Sequence, residues 1–305
     1  MASASRRGLK SIYMSAAYGR RAVAVGLLAG GLAACAGTTS DLPVKVGAER
    51  IPATVVKPDG PGPFPAVVIL HDCSGLGPQS SGAPGRWARE LEAHGYVAII
   101  PDSFTTRGHS SGVCTDPSPS RAEVSPAHRV ADAYATPTWA RSLPYVDGRR
   151  VGLMGGSHGG TTTLATMAAA EAGGEASARD SRAGFRAAVA LYPGCAARLG
   201  SWQPDGTAAY WPVAPILILI GEKDDWTPPA PCRRLAESTR AERYPVTLVV
   251  YPGAHHSFDS NRPVRYVASR VNMNAPGGRG ATTGGDPKAW ADSISRVVEF
   301  FGRNL

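Results

Sequence analysis

Short, almost wholly apolar runs punctuate the chain at residues 66–70, 96–100, 151–154, 185–192, 215–221 and 247–251. They show little alternation of polar and apolar positions, the pattern of parallel strands buried on both faces rather than of a sheet with one wet face. Stretches with helical spacing lie between or after them, at 87–94, 126–141, 161–171, 229–243 and 288–303. In the last of these, Trp290, Ile294, Val297, Val298 and Phe301 recur on one face. Strands alternating with helices over short links predict an α/β fold, a mostly parallel central sheet with helices on both faces. Ahead of it, the short alternating segments of 44–57 suit an edge hairpin. Three segments read as irregular: a polar loop over 103–125 at the carboxyl edge of the sheet, a lid-like stretch over 196–211, and a Gly-rich loop over 269–287. Nothing divides 44–305 into separate cores, so one domain is expected there, preceded by a tether over 36–43 rich in small and polar residues.

Residues 1–35 differ in kind. Arg6, Arg7, Lys10, Arg20 and Arg21 precede an apolar run, 22–34, that is too brief to span a bilayer, which predicts a secretory signal. It ends in Leu32-Ala33-Ala34-Cys35, which resembles the lipobox of bacterial lipoproteins and implies acylation of Cys35, a lipid anchor in the membrane and a place in the cell envelope. Ala36, not an aspartate, favours the outer membrane. The formal charge of +8 shrinks accordingly, since five cations and no acid leave with the signal and the mature chain carries about +3. So small an excess excludes an argument for nucleic-acid binding. Four cysteines remain, Cys73, Cys114, Cys195 and Cys232. In an oxidising envelope an even number invites disulfides, in three possible pairings among which sequence alone does not choose. Pairing Cys73 with Cys114 and Cys195 with Cys232 is preferred, because each bridge then ties a strand-end loop near the presumed site to a later loop or helix start. No spacing suggests a metal set, and no cofactor is expected.

Candidate chemistry gathers where the strands end. Gly155-Gly156-Ser157-His158-Gly159 follows the run at 151–154 and opens a helical stretch, as a nucleophile elbow demands. A serine hydroxyl is a weak nucleophile and must be held exposed in a sharp turn beside a base. In a chain with 36 glycines the pentapeptide alone means little, so its surroundings carry the argument. The run at 215–221 leads into Glu222-Lys223-Asp224-Asp225, and that at 247–251 into Pro252-Gly253-Ala254-His255-His256. Open α/β sheets place catalytic groups beyond the carboxyl ends of their strands. Ser157, Asp224 and His256 are therefore expected as nucleophile, orienting acid and base, with Asp225 the rival acid and His255 the rival base. Trp226, Trp202 and Trp211 are candidate walls of an acyl pocket.

Together the elbow, the stretch from Gly221 to Asp224 with Pro228 beyond it, and Ala254-His255-His256-Ser257-Phe258 resemble the dienelactone hydrolase family of α/β-hydrolases, over nearly all of the chain from Val44. The resemblance implies the α/β-hydrolase fold and cleavage of a small carboxylic ester, lactone or thioester through an acyl-enzyme on Ser157. It further implies an oxyanion hole made by Cys73 N–H, in His71-Asp72-Cys73, and by His158 N–H. Pro101-Asp102-Ser103-Phe104-Thr105-Thr106-Arg107 resembles the family segment whose arginine binds a substrate carboxylate, displaced by one position, which makes Arg107 a candidate for that contact. One departure stands out: the name-giving enzymes carry a cysteine nucleophile where this chain has Ser157, so their lactone substrate does not carry over. A peptidase or polyester-type hydrolase on the same scaffold, and a non-catalytic envelope lipoprotein that binds a ligand, are the runner-up readings.

Overall fold

In the computed structural model, residues 38–168, 184–241 and 243–305 are described, with backbone alone for 38–43, and all belong to one unit, Ala36–Leu305. The expected signal and the lipobox at Cys35 lie outside the described residues. Eight strands form the sheet among the described residues: β1 (Thr38–Val46), β2 (Glu49–Val56), β3 (Phe64–Leu70), β4 (Val97–Pro101), β5 (Val146–Gly156), β6 (Ala188–Leu191), β7 (Ile216–Gly221) and β8 (Val246–Tyr251). Their order is β1-β2-β4-β3-β5-β6-β7-β8, with β1 and β2 an antiparallel edge hairpin and every pairing from β4 to β8 parallel. Strands alternating with helices around a mostly parallel sheet make this an α/β fold. The helices are α1 (Ala83–Ala93), α2 (Val130–Ala140), α3 (His158–Met167), α4 (Pro229–Ser238) and α5 (Pro287–Asn304).

The apolar runs become the sheet's middle. All of β4, β6 and β7 is buried, and burying each aliphatic side chain stabilises the fold by about 1.5–3 kcal/mol. Helix α5 begins where Asp286 accepts from the N–H groups of Lys288 and Ala289, a cap worth about 1 kcal/mol, and turns Ala289, Ser293, Val297 and Phe301 inward.

Four expectations need correction. The loop expected over 269–287 contains most of a second, two-stranded antiparallel sheet, β9 (Arg265–Val271) with β10 (Arg279–Thr283). Its exposed Arg and Ser positions and its glycines hid it, because such a hairpin forms by pairing and not by burying an apolar face. The tether ends sooner than expected, since Thr38 already pairs with Val55 in β1. Helix α3 starts at His158, three residues early, directly under the elbow serine. The stretch 196–211 is irregular as expected but packs into the core instead of covering it: Trp202 and Tyr210 are fully buried, and Tyr210 donates to Leu164 O.

Candidate active site

Ser157 sits between β5 and α3 with φ 53° and ψ −114°, a conformation an L-residue occupies only under constraint, at a cost of about 1–3 kcal/mol. Ser157 N–H is tied to Leu191 O at 2.9 Å, and the closeness of strand and helix does the rest. A Cβ on Gly159 would stand 2.1 Å from Leu70 O, and one on Gly155 would stand 2.5 Å from the Gly159 backbone. The elbow glycines are needed for contact, not merely for flexibility.

Strands β7 and β8 end beside it. His256 Nε2 lies 2.9 Å from Ser157 Oγ, and its Nδ1 lies 2.8 Å from Asp224 Oδ2; all three residues are buried. With a carboxylate at Nδ1 that nitrogen carries the proton, leaving the Nε2 lone pair for the serine hydroxyl. Asp224 Oδ1 accepts from Trp226 N–H at 3.0 Å and Thr227 N–H at 2.8 Å, which fixes its plane. Thr227 Oγ1 is 2.9 Å from Asp224 Oδ2, 3.0 Å from His256 Nδ1 and 3.0 Å from Tyr192 O, so one hydroxyl braces acid, imidazole and strand end. The rings of Tyr192 and Trp226 each stand 4.8 Å from that of His256. The neighbouring candidates point elsewhere. Asp225 takes Thr282 N–H and Oγ1–H, and His255 Nδ1 faces Lys223 O.

Cys73 lies in the turn closed by Gly75 N–H on Asp72 O, and His158 is the first residue of α3, where an N–H has no intrahelical partner. Arg129, fully buried at the N-cap of α2, links the two loops: its Nη1 is 2.9 Å from His71 O and 2.8 Å from His158 Nδ1. Burial pushes this guanidinium down to about 10. Burial, with the Arg129 charge beside them, holds His71 and His158 well below the usual imidazole value, so both are neutral at pH 7. Disulfides join Cys73 to Cys114 and Cys195 to Cys232. Asp72 comes near the first pair, but both sulfurs are bonded, which leaves a lone carboxylate and no metal set there.

A cleft opens over Ser157 and His256. Trp226 lines it; Trp202 and Trp211 do not. Arg107 is a correction, for it lies away from the cleft with its guanidinium bidentate on buried Asp132, at 2.7 and 2.8 Å, and on Glu49 at 2.6 Å. Its carboxylate partners belong to the fold, and burial of Asp132 gives the physical reason: a desolvated anion must be matched. Sequence reasoning missed the cations that do line the cleft, Arg86, Arg262, Arg265 and Arg270. It also missed buried Asp259, which accepts from Tyr192 Oη and Trp87 Nε1, both at 2.8 Å, and which burial raises above the usual carboxylate value. Asp259 lies three residues beyond His256, the one signal that could have drawn attention to it.

The sequence model of the dienelactone hydrolase family matches residues 51–305. A "putative carboxymethylenebutenolidase" of Methylorubrum extorquens is 28% identical over 224 residues, 72% of this chain and 71% of that protein. Among solved structures, esterase 2 of Thermogutta terrifontis in its apo form is similar with a TM-score of 0.60 at 21% identity, over 88% of this chain and 94% of that one. A dienelactone hydrolase-like promiscuous phosphotriesterase from metagenomic libraries gives 0.61 at 20% identity, over 88% and 98%.

Proposed function

The chain belongs to the dienelactone hydrolase family and is a hydrolase acting on esters, and from that premise we propose that it cleaves small carboxylic esters, lactones or thioesters through an acyl-enzyme on Ser157. The observation that carries this reading is the unbroken buried relay Ser157 Oγ, His256, Asp224, with links of 2.9 and 2.8 Å, opening on a cleft. His256 Nε2 takes the hydroxyl proton as Ser157 Oγ bonds to the carbonyl carbon. Asp224 holds the tautomer and stabilises the imidazolium, which then protonates the leaving alkoxide or thiolate. Water repeats the sequence on the acyl-enzyme with the same base. Cys73 N–H and His158 N–H receive the oxyanion, each worth about 3 kcal/mol in the transition state. The four arginines of the lining favour esters that carry a negative charge near the scissile bond.

The test is hydrolysis of p-nitrophenyl esters of graded chain length by the oxidised protein beside Ser157→Ala, with fluorophosphonate labelling of both. Turnover and labelling that vanish in the variant support the serine route. A folded wild type that neither turns over nor labels would replace it with the ligand-binding reading.

We also propose that residues 1–35 are a signal ending in a lipobox, and that Cys35 is acylated and anchors the chain at the bacterial cell envelope. The five cations before residues 22–34, the Leu32-Ala33-Ala34-Cys35 sequence and the two disulfides support it. Expression in a bacterium with an alkynyl fatty acid tests it, since Cys35→Ser must abolish labelling.

A further inference from the structure

The β9–β10 hairpin carries a surface unlike the rest of the molecule. Val264, Tyr266 and Met273 are the large hydrophobic residues left exposed among the described residues, at 47, 65 and 87%. All three fall within ten positions of one another. Across 260–285 the chain has Arg262, Arg265, Arg270 and Arg279 and no Asp or Glu. None of the four arginines is held in an ion pair among the described residues.

The segment is firmly seated. Trp226 Nε1–H donates to Val271 O at 2.8 Å, Asn272 Nδ2–H to Asp225 O at 3.0 Å, and Gly284 N–H to His256 O at 3.0 Å. Arg262, Arg265, Arg270, Thr283 and Gly284 from the same segment line the cleft mouth. Apolar side chains in water among cations without ion pairs, on a segment that has no acid of its own and whose carboxylate neighbour on β10, Asp225, is taken up by Thr282, match a surface that is negative outside and apolar just beneath.

We propose that the β9–β10 hairpin docks the protein on an anionic lipid–water interface, its exposed apolar side chains entering among the headgroups and its arginines meeting their phosphates, so that the cleft mouth opens toward the lipid. Docking stands apart from the chemistry of Ser157, and vesicle binding is read without turnover, so either can fail alone.

The experiment measures binding of the full chain to phosphatidylglycerol–phosphatidylcholine vesicles and to phosphatidylcholine vesicles, at low and high salt. Met273→Ser, Arg279→Ser and the double variant are compared with wild type, and thermal melts check the fold. The N-terminal cations are common to all four proteins, so the hairpin is read from the differences. Arg279→Ser is expected to weaken anionic-vesicle binding about fivefold at low salt, and the double variant tenfold or more, with the Arg279 effect fading in high salt. Should the double variant be unstable, Met273→Ser carries the test alone, at a position already in water. Equal binding by folded variants and wild type overturns the proposal. So does a wild type that ignores vesicles but self-associates through these residues.

Discussion

Removing the Cys73–Cys114 disulfide should cost stability and turnover together, whereas removing Cys195–Cys232 should cost stability alone. The bridges close stretches of similar length, 41 and 37 residues apart in sequence. In the chain-entropy account each therefore constrains the unfolded state by about 3.8–3.9 kcal/mol. Their surroundings differ. Cys73 and Cys114 both line the cleft, and the Cys73 amide is one of the two oxyanion donors in the mechanism proposed above. Once the bridge is gone, that turn is held by Val113 N–H on Cys73 O at 2.7 Å and by the close packing of Gly112 against the Cys73 and Ser74 carbonyls. A displacement of about 1 Å at such a donor costs on the order of a hundredfold in rate. Cys195 and Cys232 instead pin the start of α4 under Pro193 and Trp202, away from the cleft. The assay is urea unfolding with steady-state hydrolysis of a short p-nitrophenyl ester, on Cys73→Ala/Cys114→Ala and Cys195→Ala/Cys232→Ala. Both double variants should lose about 4 kcal/mol, with kcat falling roughly 10- to 100-fold in the first and less than about threefold in the second. Equal losses of kcat, or a larger one in the second, would refute the assignment of Cys73 N–H to the oxyanion.

Asp224→Asn should lower kcat by about 10⁴, since an amide no longer fixes the imidazole tautomer, while Asp225→Asn should leave it within about threefold because that carboxylate serves Thr282. Reversed effects in the same esterase assay would reassign the acid. His71 and His158 are neutral in the fold, with values below the 6.5 of the unfolded chain, so the unfolded state binds more protons as pH falls. Their stabilisation is complete above about pH 6.5 and is lost below it, by up to about 1.4 kcal/mol per pH unit for each. Thermal melts between pH 7 and 5 should therefore fall less steeply for His71→Asn than for wild type, and parallel curves would contradict the burial argument. Gly159→Ala should abolish soluble folded protein, because the new Cβ would meet the Leu70 carbonyl backbone at 2.1 Å; a variant that melts like wild type would show that the elbow can open.

Much of this architecture was legible because parallel strands buried on both faces must be apolar throughout, and each such run in the sequence became a strand. The elbow was legible for a related reason, since only glycine tolerates the contact at positions 155 and 159. Choices between neighbours were not legible. Asp224 and Asp225, or His255 and His256, are chemically alike in sequence, and only the turn after each strand decides which side chain enters the site. Arg107, Arg129 and Arg270 present the same problem: their places, in an ion pair with Asp132, between His71 O and His158 Nδ1, and at the cleft mouth, depend on partners 25 or more residues away. The β9–β10 hairpin is held mainly by hydrogen bonds to the Asp225–Trp226 turn and the His256 loop, so its own residues show no periodic apolar signal. Local pattern determined the strands, the helices and the position of the elbow serine, because burial and backbone sterics act within a few residues. Tertiary structure decided which charges are paired, buried or free, because electrostatic partners are chosen by distance in space.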